Sequence, residues 1–301
     1  MNKIKNIPTP IAGLALGSMA VGNVFQVYSK NIQILFAYLA IFIIFLLTIK
    51  FMLNFKTSLR ELVNPVVATV FATFPMSIML ISSFLKQYLG NNIIVLWGLG
   101  VFLDILVVSY VFYSFILTKR NISYIYPTWF ITFVGPAVVT VTAKGFGLEY
   151  LGHIFFYFSF INYLVLVPFI LYRVYSYKNL KDGEYPTITV FAAPGGLLLA
   201  SYMIGFSIKD DIILEILVPM TIFFYIFVLA QLKKLLSRKF YPSFSAFTFP
   251  LVICAMAFQK TYQYFDLMNK PLEILVHISE LIAILIVIYV AIKYLQFLLK
   301  L

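Results

Sequence analysis

Long apolar runs alternate with short polar segments along the whole chain. A helix that crosses a bilayer core about 30 Å thick needs about 20 apolar residues, and the runs lack the two-residue alternation of β-barrel strands. A backbone in lipid must also satisfy its own hydrogen bonds, which favours helices. The pattern therefore predicts ten transmembrane helices, at 10–28, 31–53, 65–85, 91–117, 127–143, 150–174, 186–206, 211–235, 242–259 and 271–298.

The composition is typical of a membrane protein. Of the 301 residues, 62% are apolar and 11% are charged, whereas a soluble domain has about 25% charged residues. Mean hydropathy is +0.99. The net charge of +11 is spread between apolar runs and forms no basic arm, so a nucleic-acid partner is excluded along with a soluble or disordered chain. The single cysteine, Cys254, excludes a disulfide framework and a cysteine-based metal site. We interpret 1–301 as one transmembrane domain.

Basic residues are unequally shared between the two sides. The side that bears both termini carries 16 of the 22 lysines and arginines, and the opposite side carries 6. The positive-inside rule places both termini in the cytoplasm, which requires an even number of helices. Lys3 and Lys5 precede an apolar run, as in a signal peptide, but Pro8, Pro10 and Gly13 interrupt that run. We expect it to remain as the first helix.

Prolines repeat along the chain. The odd-numbered runs begin at a proline, roughly sixty residues apart, at Pro8 or Pro10, Pro65, Pro127, Pro186 and Pro242. A second proline lies within the last four of these runs, at Pro75, Pro136, Pro194 and Pro250, and Gly17 takes its place in the first. The repeating unit is thus a hairpin of one broken and one plain helix, over 8–53, 65–117, 127–174, 186–235 and 242–298.

Five hairpins of one orientation can close into a ring about an axis along the membrane normal. A proline inside a helix frees a carbonyl, which is tolerated at membrane depth where protein or water satisfies it. We therefore predict an all-α membrane protein with kinked odd helices around a central pore and even helices outside. The alternative is that prolines, glycines and hydroxyls only pack helices together, which does not explain a five-fold period.

The odd-numbered runs contain no Asp, Glu, Lys, Arg or His. A proton- or sodium-coupled carrier usually keeps ionisable groups in its helices, and a cation channel needs carboxylate rings or convergent carbonyls. A neutral, hydroxyl-lined path with basic residues in excess at one mouth suits an anion. Candidates for lining or kinking this path are Gly17, Thr73, Pro75, Gly135, Pro136, Ala193, Pro194, Thr248 and Pro250.

Two runs share the triplet Thr-Phe-Pro, at Thr73-Phe74-Pro75 and Thr248-Phe249-Pro250. A phenyl ring in the narrowest layer of a pore can act as a plug or a dewetting constriction. Phe249 and Phe74 are therefore candidate gates. The alternative is ordinary packing, since the chain contains 32 phenylalanines.

Several ionisable residues are candidates for other roles. For Asp104, whose charge is costly in lipid, we favour a contact among the outer helices or between subunits over proton coupling. His277 and Glu280 share one helical face, and we favour a structural pair over a pH sensor or metal site. Glu215 and His153 lie near helix ends. No phosphate loop, HExxH or Ser-His pattern appears, so we expect neither an enzyme nor a cofactor.

The segments PTPIAGLALGSMAVGN and FSAFTFPLVICAMA, within five proline-broken hairpins, resemble the tellurite-resistance/dicarboxylate transporter family. That family includes bacterial TehA-like proteins and the slow-type anion channels of plant guard cells. The resemblance implies a five-fold quasi-symmetric channel of odd helices, an outer ring of even helices and a homotrimer. It also implies a phenylalanine that occludes the pore, which falls on Phe249 within Phe247-Thr248-Phe249.

We interpret the chain as a passive anion channel or anion-conducting transporter of the plasma membrane. Its substrates would be small inorganic anions, mono- or dicarboxylates, or tellurite. One alternative is a secondary carrier, either proton-coupled for organic acids or of the drug/metabolite type, which has two inverted halves of about 150 residues. Another is a receptor or scaffold with a sealed centre.

Overall fold

The structure is a computed structural model that describes residues 2–119, 121–177, 180–265 and 270–300, in which every regular element is a helix. Eight apolar helical runs are long enough to cross a membrane, and one of them, Pro65–Thr118, contains two helices joined at Gly90, whose φ of 68° suits a turn. The shorter Thr9–Phe25 completes ten. The predicted all-α membrane fold is confirmed. Arg120 and Lys178, which entered the charge count, and residues 266–269 of the last hairpin lie outside the described residues.

The helices are numbered α1 to α10 in chain order. The odd-numbered helices each have two pieces: α1 is Thr9–Ile11 and Ala12–Phe25, α3 is Pro65–Val70 and Thr73–Leu89, α5 is Trp129–Val134 and Ala137–Ala143, α7 is Asp182–Phe191 and Ala192–Gly205, and α9 is Pro242–Phe247 and Thr248–Tyr264. The even-numbered helices are α2, Lys30–Leu53; α4, Ile94–Val111 with a π-helical turn at Phe112–Thr118; α6, Glu149–Tyr177; α8, Asp211–Leu236; and α10, Lys270–Leu299.

The breaks in the odd helices coincide with the second prolines. In α3, α7 and α9 the second piece begins two residues before the proline, so Pro75, Pro194 and Pro250 each occupy the third position of a helix. An N–H in the first turn of a helix has no intrahelical partner, so a proline there removes no hydrogen bond. In α5, Pro136 caps the second piece. Each helix thus accommodates its proline by restarting.

The odd helices form a closed inner ring. α1 packs against α3 and α9, α3 against α5, α5 against α7, and α7 against α9. Each even helix packs on the odd helix before it and on the next one, and α10 reaches back to α1. In the most apolar stretches of α5, α7 and α9, 78–89% of residues are buried, against 28–39% in α2, α6, α8 and α10. Kinked helices therefore lie inside and straight helices outside, as predicted.

The inner helices extend further than the apolar runs indicate. α3 continues to Leu89 and α9 to Tyr264, so Lys86 and Lys260 belong to the inner ring. The expectation that the odd helices lack ionisable residues therefore holds only for their middle. A lysine stem can lie along apolar surface while its ammonium reaches water, so a charge does not end a helix.

The contact between α1 and α9 depends on a glycine. A Cβ added at Gly17 would lie 2.5 Å from Cβ of Thr248 and 3.0 Å from the backbone nitrogen of Phe249. The Thr248 hydroxyl donates to the carbonyl of Gly13, one turn earlier on α1, at 2.9 Å. Gly17 thus lets two inner helices approach closely enough to hydrogen-bond, which is how small residues act in membrane interfaces.

We expect Gly17→Ala to destabilise the protein by about 1–3 kcal/mol, since overpacking a close contact forces helices apart. Gly98→Ala on α4 is the matched control, because a Cβ there meets nothing within 4 Å. In detergent, the thermal unfolding midpoint of Gly17→Ala should be lower than that of the wild type, and the midpoint of Gly98→Ala should be unchanged. Equal midpoints for both variants would contradict the close α1–α9 contact.

Candidate functional site

A small cavity lies at the centre of the inner ring, where all five odd helices contribute to its wall. Its volume is about 30 Å³, room for about two water molecules. The lining residues are Gly13 of α1; Val70, Thr73 and Met76 of α3; Phe130, Ile131, Val134 and Gly135 of α5; Val190, Ala193, Pro194 and Leu197 of α7; and Ser245, Ala246, Phe249 and Pro250 of α9. None of them is ionisable, so the narrowest region found on the axis is neutral.

Phe249 lies at the break of α9, one residue after Thr248 begins the second piece. It is buried, and it lines the central cavity. The preceding Phe247 turns away and packs against Phe244, with ring centroids 5.0 Å apart. Of the aromatic pair in the Phe247-Thr248-Phe249 motif, it is therefore Phe249 that reaches the axis.

Phe74 lies elsewhere although its triplet is the same. Its ring stacks on Phe71 with centroids 5.5 Å apart, and it lies 6.2 Å from Phe51 of α2. The cavity wall at this level of α3 is made by Thr73 and Met76 instead. An aromatic cluster between the inner and outer rings thus holds Phe74 away from the axis.

The other candidates for lining or kinking the path divide into two groups. Thr73, Gly135, Ala193, Pro194 and Pro250 line the central cavity. They occupy corresponding places just before or at the second proline, so the repeat brings them together.

The remaining candidates lie behind the wall. Gly17 and Thr248 contact each other. The carbonyl of Pro75 faces α4, where a Cβ at Gly100 would lie 3.2 Å from it, and Pro136 lines a separate cavity between α4, α5 and α6. These residues shape the inner ring without facing its axis.

Hydroxyl groups line the path less than the sequence suggests. Thr73 and Ser245 reach the central cavity. However, the Thr73 hydroxyl donates a hydrogen bond to the carbonyl of Val70 at 2.7 Å, and the Ser245 hydroxyl donates to that of Pro242 at 3.3 Å. A hydroxyl has one proton to donate, so these two groups offer the cavity only lone pairs. The expectation of a hydroxyl-lined path is corrected: the hydroxyls satisfy backbone carbonyls, and the cavity wall is mainly apolar.

Sequence reasoning missed the aliphatic part of the wall. Val70, Val134, Val190 and Leu197 line the cavity beside the expected residues. The spacing from the second proline could have indicated such residues, because in α3, α5, α7 and α9 several residues that line the cavity lie about one turn before it. Superposing the four proline-centred segments would have indicated them.

A second, larger cavity lies on the same axis, on the side away from the N-terminus. We call it the distal vestibule; its volume is about 580 Å³, and all five inner helices contribute to it. It is lined by Asn23, Gln26, Gln33, Leu80, Ser83, Phe84, Gln87, Val141, Thr142, Met203, Ile204, Met256 and Lys260. On α9, Met256 is two turns from Phe249, about 10 Å at 1.5 Å per residue. The two cavities therefore define a path that is wide and polar at one end and narrow and apolar at the centre.

Asp104 lies outside this path. Its side chain is fully buried and lines a cavity of about 260 Å³ between α4, α5 and α6. Neither carboxylate oxygen has a hydrogen-bond partner in the part of the chain that the structure describes. The expected contact among the outer helices is therefore not observed.

His277 and Glu280 form part of a hydrogen-bonded cluster. His277 Nδ1 lies 3.0 Å from Glu280 Oε2, the Tyr28 hydroxyl donates to the same oxygen at 2.9 Å, and Gln259 Nε2 donates to Oε1 at 2.6 Å. Burial and the contact with Glu280 raise the pKa of Tyr28 to about 12, so its hydroxyl stays protonated. The cluster ties α10 to α9 and to the turn after α1, as expected of a structural pair.

The other two candidates lie at the periphery. His153 stacks on Phe206 with ring centroids 4.0 Å apart, and Glu215 is exposed near the start of α8. Among the described residues, no group of three or more His, Cys, Asp or Glu side chains could hold a metal ion.

Comparison with known proteins agrees with this architecture. A search of curated proteins finds no match. The family model described as SLAC1, voltage-dependent anion channel, matches residues 8–295, which reach from the start of the first hairpin to the last turn of the fifth. Anion channels and transporters make up this family, and a neutral axial path suits that activity. The chain therefore belongs to the SLAC1 family of voltage-dependent anion channels, as its resemblance to tellurite-resistance/dicarboxylate transporters predicted.

Proposed function

We propose that this protein conducts small anions passively along the axis of the inner ring, and that Phe249 closes the path at rest. The observation that supports this best is the place of Phe249, at the helix break and in the wall where all five inner helices meet. A cavity of about 30 Å³ is too small for a hydrated anion. Passage therefore requires a wall residue to move.

Phe249 is better placed to move than the other phenylalanine in this wall. Phe130 packs against the rings of Tyr163 and Phe191, at 6.0 and 5.8 Å between centroids. Phe249 lines the same cavity as Phe130 but makes no ring–ring contact within the described residues. Gly13 and Ala193 in the same wall present little or no side chain. A rotation of one ring can therefore widen the cavity without disturbing an aromatic cluster.

The neutral wall suits conduction rather than tight binding. A fixed ammonium at the constriction would hold an anion strongly and slow its release, whereas dipoles and a background positive potential attract it weakly. Small inorganic anions, mono- and dicarboxylates and tellurite are the proposed substrates. The proposed setting is the plasma membrane, with both termini in the cytoplasm and three copies assembled as a homotrimer.

The carrier alternatives find less support. A proton-coupled carrier needs an ionisable group beside the substrate, and Asp104 lies behind α5 rather than on the axis. A drug/metabolite-type carrier has two inverted halves, whereas the inner ring here is made of five successive hairpins. The flux experiment below also tests the remaining alternative, a receptor or scaffold whose centre is sealed.

Phe249→Ala should raise anion flux into liposomes about tenfold or more, since lowering a barrier by about 1.4 kcal/mol raises a rate tenfold. Phe249→Leu should give an intermediate flux. Phe74→Ala is the matched control, because it removes the same side chain from the same triplet off the axis, and its flux per folded molecule should equal that of the wild type. A well-folded Phe249→Ala variant with wild-type flux would refute the gate, and no flux from any variant would indicate a sealed centre.

Asp104→Asn should leave anion flux unchanged, because this carboxyl lies off the path. A pH gradient at constant anion gradient should not alter the flux of either the wild type or the variant. Anion uptake driven by a proton gradient, and lost in Asp104→Asn, would support the proton-coupled carrier instead.

A further inference from the structure

On the distal side of the protein, every hairpin carries a lysine near the connection between its two helices, and the fifth hairpin carries Lys270 as well. Five of these lysines lie at the start of α2, in the last turn of α3, just after α5, in the segment between α7 and α8, and near the end of α9: Lys30, Lys86, Lys144, Lys209 and Lys260. We call them the lysine ring. Every repeat thus carries a basic residue near the connection between its two helices, although the exact position differs from one repeat to the next.

Contacts with aromatic rings hold three of these ammonium groups at the rim. Lys30 Nζ lies 5.8 Å from the ring centroid of Tyr88, Lys86 Nζ 4.9 Å from that of Phe146, and Lys209 Nζ 5.2 Å from that of Tyr264. Burial and the nearby charge of Lys144 lower the pKa of Lys209. No member of the ring has a salt bridge within the described part of the chain, so its positive charge is not cancelled by a direct partner.

Three acidic residues on the same side lie at the starts of outer helices. Glu149, Asp211 and Glu273 are exposed in the first turns of the outer helices α6, α8 and α10. The buried Glu280 accepts hydrogen bonds from Tyr28 and Gln259 and does not line the distal vestibule. The three exposed carboxylates thus belong to outer helices, whereas Lys86 and Lys260 belong to inner helices. Lys30 and Lys270 begin outer helices, and Asp210 directly follows Lys209.

The distal vestibule also contains hydrogen-bond donors, in addition to the positive charge of the lysine ring. Lys260, which is half-buried, lines it together with three glutamines. Gln33 Nε2 donates to Gln26 Oε1 at 3.0 Å, and Gln26 Nε2 donates to the carbonyl of Asn23 at 3.0 Å. Each amide group has two N–H bonds, so one remains for a ligand. Gln87 uses neither of its N–H bonds within the described residues.

We propose that the distal vestibule is an anion-capture site in which Lys260 and the carboxamides of Gln26, Gln33 and Gln87 hold a carboxylate or another small oxyanion before it enters the central cavity. Charge-assisted and amide N–H donors match oxygen atoms that carry negative charge. A volume of about 580 Å³ admits such an anion with part of its water, which the central cavity does not. This proposal rests on the proposed conduction and adds the step that precedes it.

Formate flux into liposomes, measured against formate concentration, tests the proposal. Lys260→Gln should raise the half-saturating concentration about fivefold, as expected for the loss of one partly exposed charge about 4 Å from the anion, and should leave flux at saturation near the wild-type value. Lys260→Arg keeps the charge and should behave as the wild type. Lys270→Gln is the matched control, since it removes a lysine from the start of the outer helix α10 on the same side.

Binding is measured separately from conduction. In detergent, added malonate should raise the thermal unfolding midpoint of the wild type, Lys260→Arg and Lys270→Gln. The midpoint of Lys260→Gln should rise less. The difference should shrink as ionic strength is raised with a non-binding salt, because screening weakens the interaction.

The outcomes separate this proposal from the proposed function. Conduction by the wild type, with identical concentration dependence and identical malonate response in Lys260→Gln and Lys270→Gln, would overturn the capture site and leave the channel intact. Absence of flux in the wild type and in Phe249→Ala, with a malonate response that depends on Lys260, would overturn conduction and leave an anion site. Gel filtration of each variant identifies any that fail to fold, and Lys260→Arg then decides the role of the charge.

Discussion

A backbone N–H or C=O inside a bilayer has no water to bond, and leaving one unsatisfied costs several kcal/mol. This constraint determines where the helices of this protein can break. Among the described residues, the helix breaks lie in the inner ring, where a hydroxyl of an adjacent helix can reach a carbonyl at a break, as Thr132 reaches Thr69. The Thr248 hydroxyl likewise reaches the carbonyl of Gly13 near the start of the second piece of α1. The continuous helices α2, α4, α6, α8 and α10 face lipid. A hairpin is thus the smallest unit that contains both a broken helix and a continuous helix that separates it from lipid.

The same constraint gives the path its chemistry. Hydroxyl protons that satisfy carbonyls are not available to a ligand, so the wall around Phe249 is apolar and the barrier there is one of size and dehydration. Lys260 and three glutamines lie in the distal vestibule instead, where we propose that they attract an anion before it reaches the apolar wall. Lys260 and Phe249 are therefore separated by about three helical turns along α9, roughly 16 Å at 1.5 Å per residue.

The sequence predicts the fold well, because prolines recur at equivalent positions of the hairpins and each broken helix alternates with a continuous one. The shared triplet makes Phe249 and Phe74 equal candidates for the gate, and in the sequence only the family resemblance favours Phe249. The contacts of Phe74 with Phe71 and Phe51, which hold its ring away from the cavity that Phe249 lines, depend on packing that the triplet does not show. Nor does the sequence show that hydroxyls such as Thr73 donate to carbonyls, or that α9 continues to Lys260, because both depend on packing between helices.

An axial path through the inner ring would make its wall residues accessible to reagents in water, and thiol accessibility tests this most directly. Cys254 is buried and is the single cysteine of the chain, so thiol-specific reagents can report on an introduced cysteine once Cys254→Ala has been made. In a Phe249→Ala background, a charged thiol reagent should modify Ala193→Cys in the cavity wall and block anion flux. It should leave Ala283→Cys, which is buried on the outer helix α10 and lines neither cavity, unmodified and conducting. Modification of both positions alike, or of Ala193→Cys with no change in flux, would contradict the account.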